Sequence, residues 1–198
     1  MTAGLGVYEL YVNGESIGDE FLKPGFTQYA KTKRSFTYDI TGLLQTQSGA
    51  ENVLSVQVTP GWWGDKIITP SGNEGMHGKK CAFRGVLELT YADGTKQLYG
   101  TDLENWKAGI AGPVKHAAIF DGEIYDAREP MGYECVTSFS TPEENKEFAG
   151  EILPSNGAEI YLRNDLTLAP IKAYVWEGVE NAKEDEYGKV IVKKEFAQ

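Results

Sequence analysis

Apolar and polar residues alternate along short stretches of this chain with a period of two, the spacing of a strand rather than of a helix. Residues 7–12, Val-Tyr-Glu-Leu-Tyr-Val, place their side chains on two opposite faces and predict a strand. Asn13-Gly14 follows, a pair suited to the left-handed positions of a two-residue hairpin turn, and Ser16-Ile17-Gly18 resumes the chain. Pro24-Gly25 marks another turn. Residues 35–40 alternate again, residues 41–44 predict one short helical turn, and residues 53–58 predict a strand with Val and Leu on one face. Residues 83–91 and 96–100 flank Ala92-Asp93-Gly94-Thr95 and predict a second hairpin. Further short strands are expected over 105–108 and 122–126.

Between residues 60 and 80 the periodicity disappears and glycine is frequent, which predicts a long loop. After Arg128 the composition shifts. The run from Ser138 to Lys146 resembles a capping box and predicts a helical turn near 141–148. Strands are expected over 158–168 and 171–175, separated by Pro170, then a loop over 180–188 and a last strand over 190–193. The chain therefore divides near residue 130, into 1–130 and a strand-rich segment 131–198. Strands at this spacing, joined by hairpin turns, predict an all-β fold, an antiparallel β-sandwich. No internal repeat interrupts the pattern.

Composition agrees: 23 glycines and 8 prolines fall between short apolar runs, as a turn-rich fold requires. The formal net charge of −10 repels phosphate, so neither nucleic acid nor an anionic membrane is an expected partner. No apolar stretch reaches the length of a bilayer-spanning helix. The first residues lack the basic and apolar regions of a signal peptide, and a chain that opens in mid-strand reads as cut from a longer parent, with Met1 added. Cys81 and Cys135 form no Cys-x-x-Cys motif and read as two unpaired thiols, so secreted, periplasmic and cytoplasmic settings all stay open.

Several motifs carry a resemblance. The run Gly4-Leu5-Gly6-Val7-Tyr8-Glu9-Leu10-Tyr11-Val12-Asn13-Gly14 is similar to the opening of the N-terminal domain of bacterial α-L-rhamnosidases, glycoside hydrolase family 78. Gly18-Asp19 with Lys23-Pro24-Gly25-Phe26-Thr27, Tyr38-Asp39-Ile40-Thr41-Gly42-Leu43-Leu44, Glu51-Asn52-Val53-Leu54, Gly61-Trp62-Trp63 and Tyr91-Ala92-Asp93-Gly94-Thr95 resemble further family pieces in family order. Phe120-Asp121-Gly122-Glu123-Ile124-Tyr125-Asp126-Ala127-Arg128 resembles Tyr-Asp-Gly-Glu-x-Tyr-Asp-Ala-Arg and is the most specific of them. The resemblance covers residues 4–128 and, more weakly, 150–198. It implies a jelly-roll, galactose-binding-like sandwich that accompanies an (α/α)-barrel catalytic domain, with the catalytic acids in that barrel and none in this chain. Some related domains hold terminal rhamnose through a calcium ion. Where relatives often carry Tyr-Gly-Asp, this chain reads His77-Gly78-Lys79, which alters the ligand pattern of that loop.

The candidate residues follow from their chemistry. His77 and His116 stand in no metal-binding cluster and read as solvent-facing imidazoles. Trp62 and Trp63 open the long loop, with Asp65 and Asn73 nearby, and offer an aromatic platform with polar partners for a sugar. The plainer reading makes one indole core and the other an edge cap, because neighbours in an extended strand face opposite ways. No cofactor is required. A calcium ion is compatible with Asp19, Glu20 and Asn73, which otherwise read as solvated polar residues. Alternation puts Asp121, Glu123 and Tyr125 on one face and Ile124 and Asp126 on the other, where they line a cleft against the catalytic barrel or, in the preferred structural role, Arg128 pairs with Asp126 or Glu123 to lock the domain junction. The expected function is therefore that of a non-catalytic piece of an α-L-rhamnosidase, scaffolding the barrel and binding rhamnose-containing glycans. The alternatives are a free-standing lectin-like module and the accessory sandwich of another glycosidase.

Overall fold

The structure is a computed structural model; it describes residues 1–66, 75, 77–110, 112–130, 132, 133, 136, 138–146, 150–157 and 159–166, with the backbone of 182–184 and 190–192. The calls on Asn73, Cys135 and the strand over 171–175 lie outside these residues.

Two sheets face each other. The larger begins with β1 (Thr2–Leu5), whose four residues are all buried. A strand covered on both faces shows no alternation, which is why residues ahead of Val7 did not read as one. On one side β1 pairs antiparallel with β5 (Thr32–Phe36), Thr2 opposite Phe36. On the other it pairs antiparallel with β7 (Ala82–Thr90), which forms the expected hairpin with β8 (Lys96–Gly100). The smaller sheet has β2 (Val7–Val12) between β3 (Glu15–Ser16) and β6 (Leu54–Thr59). Asn13 and Gly14 have φ of 52° and 84°, the pair of positive angles that a tight β2–β3 hairpin needs. Tyr8, Leu10 and Val12 are buried, and Leu10, Val12 and Ile17 form a cluster that Phe83 of β7 joins from the opposite sheet. On the other face of β1, Leu5 packs with Tyr29 and Trp63.

Two expectations on strand limits give way to partner availability. Residues 35–40 alternate, yet β5 stops at Phe36 because β1 starts at Thr2 and, among the described residues, nothing pairs with the chain beyond it. Residues 105–108 make one isolated bridge, Ala108 to Ser140, instead of a strand. A strand that had not been read, β9 (Val114–Ala118), pairs with β10 (Gly122–Tyr125), with a bulge at Lys115, where Ile124 faces His116 and Tyr125 faces Val114. Residues 141–145 are not helical.

The boundary near residue 130 also moves. A further strand, β11 (Glu151–Pro154), runs parallel to β5 at the edge of the five-stranded sheet, and β12 (Ile160–Tyr161) pairs with β4 (Glu20–Phe21). These pairings tie the later segment back to the first 36 residues, so one compact unit runs from Met1 to Leu162. The second unit, Arg163–Gln198, contains a 3-10 turn at Asn164–Leu166 and a hairpin of β13 (Ala182–Glu184) and β14 (Val190–Val192).

Candidate functional site

The paired indoles lie on a single helical turn, α1 (Gly61–Gly64), and not in an extended strand. Trp63 is 3% exposed, packs edge-on to Tyr29 at 5.3 Å and donates its indole N–H to Lys80 O at 2.9 Å. It presents no face to a ligand. Trp62 is half-buried against the same cluster. Asp65 caps the turn; its Oδ2 is shielded from solvent and accepts no hydrogen bond from the described residues. Burial and then the Asp65 carboxylate push the Cys81 thiol up. His77, expected in solvent, is half-buried and tilts over Tyr29 at 4.9 Å, with Phe26 at 5.9 Å. His116 is exposed as expected. Phe26, Tyr29, His77 and Trp63 thus form an aromatic group that sequence spacing did not reveal, because Phe26 and Tyr29 come from the turn ahead of β5.

Of the calcium candidates, Asn73 lies outside the described residues, and Asp19 and Glu20 stand in different settings. Glu20 is buried, accepts the Tyr38 hydroxyl and lies 3.7 Å from Lys23 Nζ. Lys23, whose side chain has no exposed surface, also lies 3.3 Å from Glu9 and donates to Ile17 O at 2.9 Å. Asp19 stays exposed. Among the described residues no group of three or more His, Cys, Asp or Glu is gathered in a metal-binding arrangement. Desolvation, then the Glu20 hydrogen bond, drives the Tyr38 hydroxyl above its ordinary range, and desolvation does the same for Tyr8.

The other motif residues are engaged in the same way. Asn13 donates to Leu43 O and Asn52 Oδ1 and accepts from Val53 N, and Asn52 exchanges two further bonds with the backbone of Gln45. Asp39 accepts from the backbone and hydroxyl of Thr41, which hold its carboxyl below the usual range. Asp126 and Arg128 form a two-bonded pair at 2.8 and 2.6 Å. That pair is local, two residues apart, and Arg128 remains largely exposed. Glu123 lines a cleft of about 270 Å³ with Val7, Thr59, Gly61, Ala118 and Ile119, while Asp121 reaches Lys66 at 3.5 Å. Phe120 and Ile124, each 61% exposed, and Tyr125 project from the β9–β10 hairpin.

Comparison with known proteins places these features. The family described as the α-L-rhamnosidase N-terminal domain matches residues 1–150. An α-L-rhamnosidase of Alteromonas sp. (strain LOR) is 36% identical over 127 residues, 64% of this chain and 13% of the relative. One of Streptomyces avermitilis is 38% identical over 130 residues, 63% of this chain and 12% of the relative. The crystal structure of a Streptomyces avermitilis α-L-rhamnosidase complexed with L-rhamnose superposes with a TM-score of 0.63 at 27% identity, over 81% of this chain and 15% of that one. That of the native Aspergillus terreus enzyme gives 0.66 at 25%, over 96% and 21%. The chain thus spans only a small fraction of the length of these relatives.

Proposed function

Because this chain belongs to the α-L-rhamnosidase N-terminal domain family, we propose that it is a non-catalytic scaffold that packs against the catalytic barrel of its parent enzyme. One observation carries the reading: the motif side chains that mark the family are used in contacts within the chain itself, Asn13 with Asn52 and Leu43 O, Lys23 and Tyr38 with Glu20, and Trp63 with Lys80 O. A binding module would instead turn several such groups toward a ligand. The contact surface of the scaffold is the β9–β10 hairpin, whose Phe120, Ile124 and Tyr125 are the apolar anchors that an inter-domain interface requires.

The test is thermal unfolding of the parent enzyme carrying Phe120→Ser with Ile124→Ser. The midpoint should fall in the parent and stay unchanged in this chain alone. No change in the parent would remove the hairpin as the contact.

A further inference from the structure

We propose that the cleft between the β9–β10 hairpin and the sandwich seats one lysine or arginine side chain from a neighbouring domain of the parent enzyme. The inference rests on the scaffold reading for the source of that side chain, and on the cleft itself for its chemistry. Val7, Thr59 and Gly61 of the sandwich and Ala118 and Ile119 of the hairpin line the hollow, which has a volume of about 270 Å³. That is below the roughly 300–1,000 Å³ of a site for a drug-sized ligand, so a single extended side chain is the occupant that fits.

Leu22 lines the same cleft, and its backbone is held at φ 59°. A residue with a Cβ adopts this left-handed conformation at a cost that glycine escapes. Leu22 nevertheless stays 37% exposed, so full burial is not what offsets the strain. Its isobutyl group gives the cleft an apolar wall, and backbone held in such conformations gathers at sites that clamp a ligand.

The hairpin supplies the charge. Of the four carboxylates between residues 114 and 130, Asp121 lies 3.5 Å from Lys66, Asp126 lies 2.6 Å from Arg128 and Glu129 lies 2.7 Å from Lys115. Glu123, the one that lines the cleft, forms no ion pair with any of the described residues. An apolar hollow with one unpaired carboxylate matches a side chain with an apolar stem and a cationic head. The methylenes cover Leu22 and Ala118, and the ammonium or guanidinium donates to Glu123. A neutral apolar chain would take Glu123 out of water without a donor, and an acidic one would meet it with like charge. The source is a neighbouring domain because Phe120, Ile124 and Tyr125, the exposed anchors of the scaffold contact, flank Ile119 and Glu123 in the same hairpin. A surface that covers those anchors also covers the cleft.

The probe is n-butylguanidinium, which carries both stem and head, with its neutral isostere n-butylurea as the control. Binding is read from the methyl NMR signals of Val7, Leu22 and Ile119, with those of Leu10 and Val12 reporting that the chain stays folded. The cation should shift the cleft methyls and bind at least about threefold more tightly than the urea, and Glu123→Gln should remove that difference. In the parent enzyme the cleft is already filled, so the same methyls should not respond. Equal binding of the two probes, a preference that survives Glu123→Gln, or no shift of the cleft methyls overturns the proposal. A response in the parent as strong as in this chain also overturns it, since the neighbouring domain would then leave the cleft empty. The scaffold contact is decided separately, by the melting of the parent with Phe120→Ser and Ile124→Ser, so either reading can fail without the other.

Discussion

Lys23 Nζ lies 3.3 Å from Glu9 Oε2 in a side chain that has no exposed surface. An ammonium removed from water this completely is stable only where several acceptors surround it, and Glu9, Glu20 and the Ile17 carbonyl do so. The Tyr38 ring, 5.5 Å away, completes the enclosure. The arrangement joins the turn after β4 to β2 and explains why the Lys-Pro-Gly motif begins with a lysine.

Removing the cation strands a buried carboxylate. Lys23→Ala should destabilise the chain by about 3–5 kcal/mol, whereas Asp19→Ala, at an exposed position nearby, should change stability by less than about 0.5 kcal/mol. Urea denaturation of both variants checks this; equal midpoints would show that the buried cluster contributes no stability.

The two indoles should separate cleanly. Trp63→Ala opens a cavity in the Leu5–Tyr29 cluster and should cost about 3–5 kcal/mol. Trp62→Ala removes a half-buried side chain and should cost clearly less. Thermal melts monitored by circular dichroism measure both, and the reverse order would contradict the placement of the pair on α1.

Alkaline pH should weaken the fold. Burial raises Tyr29 to about 12, against the opposing pull of Arg34, and also raises Tyr8 and Tyr38. An unfolded tyrosine loses its proton near about pH 10, so above that pH the unfolded state binds fewer protons than the folded one. The stability these groups contribute is fully present below about pH 10 and is lost as pH rises through their folded values. Denaturant midpoints should hold steady from neutral pH to about pH 9.5 and then fall. Tyrosinate absorbance that develops fully near pH 10 without unfolding would contradict it.

Gly6 and Gly14 both have positive φ, but they differ in space. A Cβ at Gly6 would lie 2.3 Å from Thr59 O, a backbone atom of the paired strand β6, whereas a Cβ at Gly14 meets nothing within 4 Å. Gly14→Ala should cost only the left-handed strain of about 1–2 kcal/mol, and Gly6→Ala should cost more and separate β2 from β6. Comparison of the two melting temperatures decides the point.

Local chemistry was sufficient for the parts of this protein that depend on near neighbours. Asn13-Gly14 and Asp93-Gly94 make hairpins because two adjacent residues need positive φ or a side-chain cap, and the alternating runs at 7–12, 53–58 and 83–91 form β2, β6 and β7, each paired edge to edge with a neighbouring strand. Family membership was legible for the same reason: Asn13, Asp39 and Asn52 hold turns together, and such roles tolerate few residue types. Tertiary structure alone decided the rest. The strand β11 joins β5 across more than a hundred residues and in parallel, a pairing to which four residues of Glu-Ile-Leu-Pro give no local clue. The burial of Glu20 depends on Lys23 being beside it, so the sequence read Glu20 as a solvated acid. Trp62 and Trp63 curl into a helical turn because Leu5 and Tyr29 offer the second indole a pocket. A strand ends where its partner ends: residues 35–40 carry the pattern of a full strand, and only the register of β1 determines that pairing stops at Phe36.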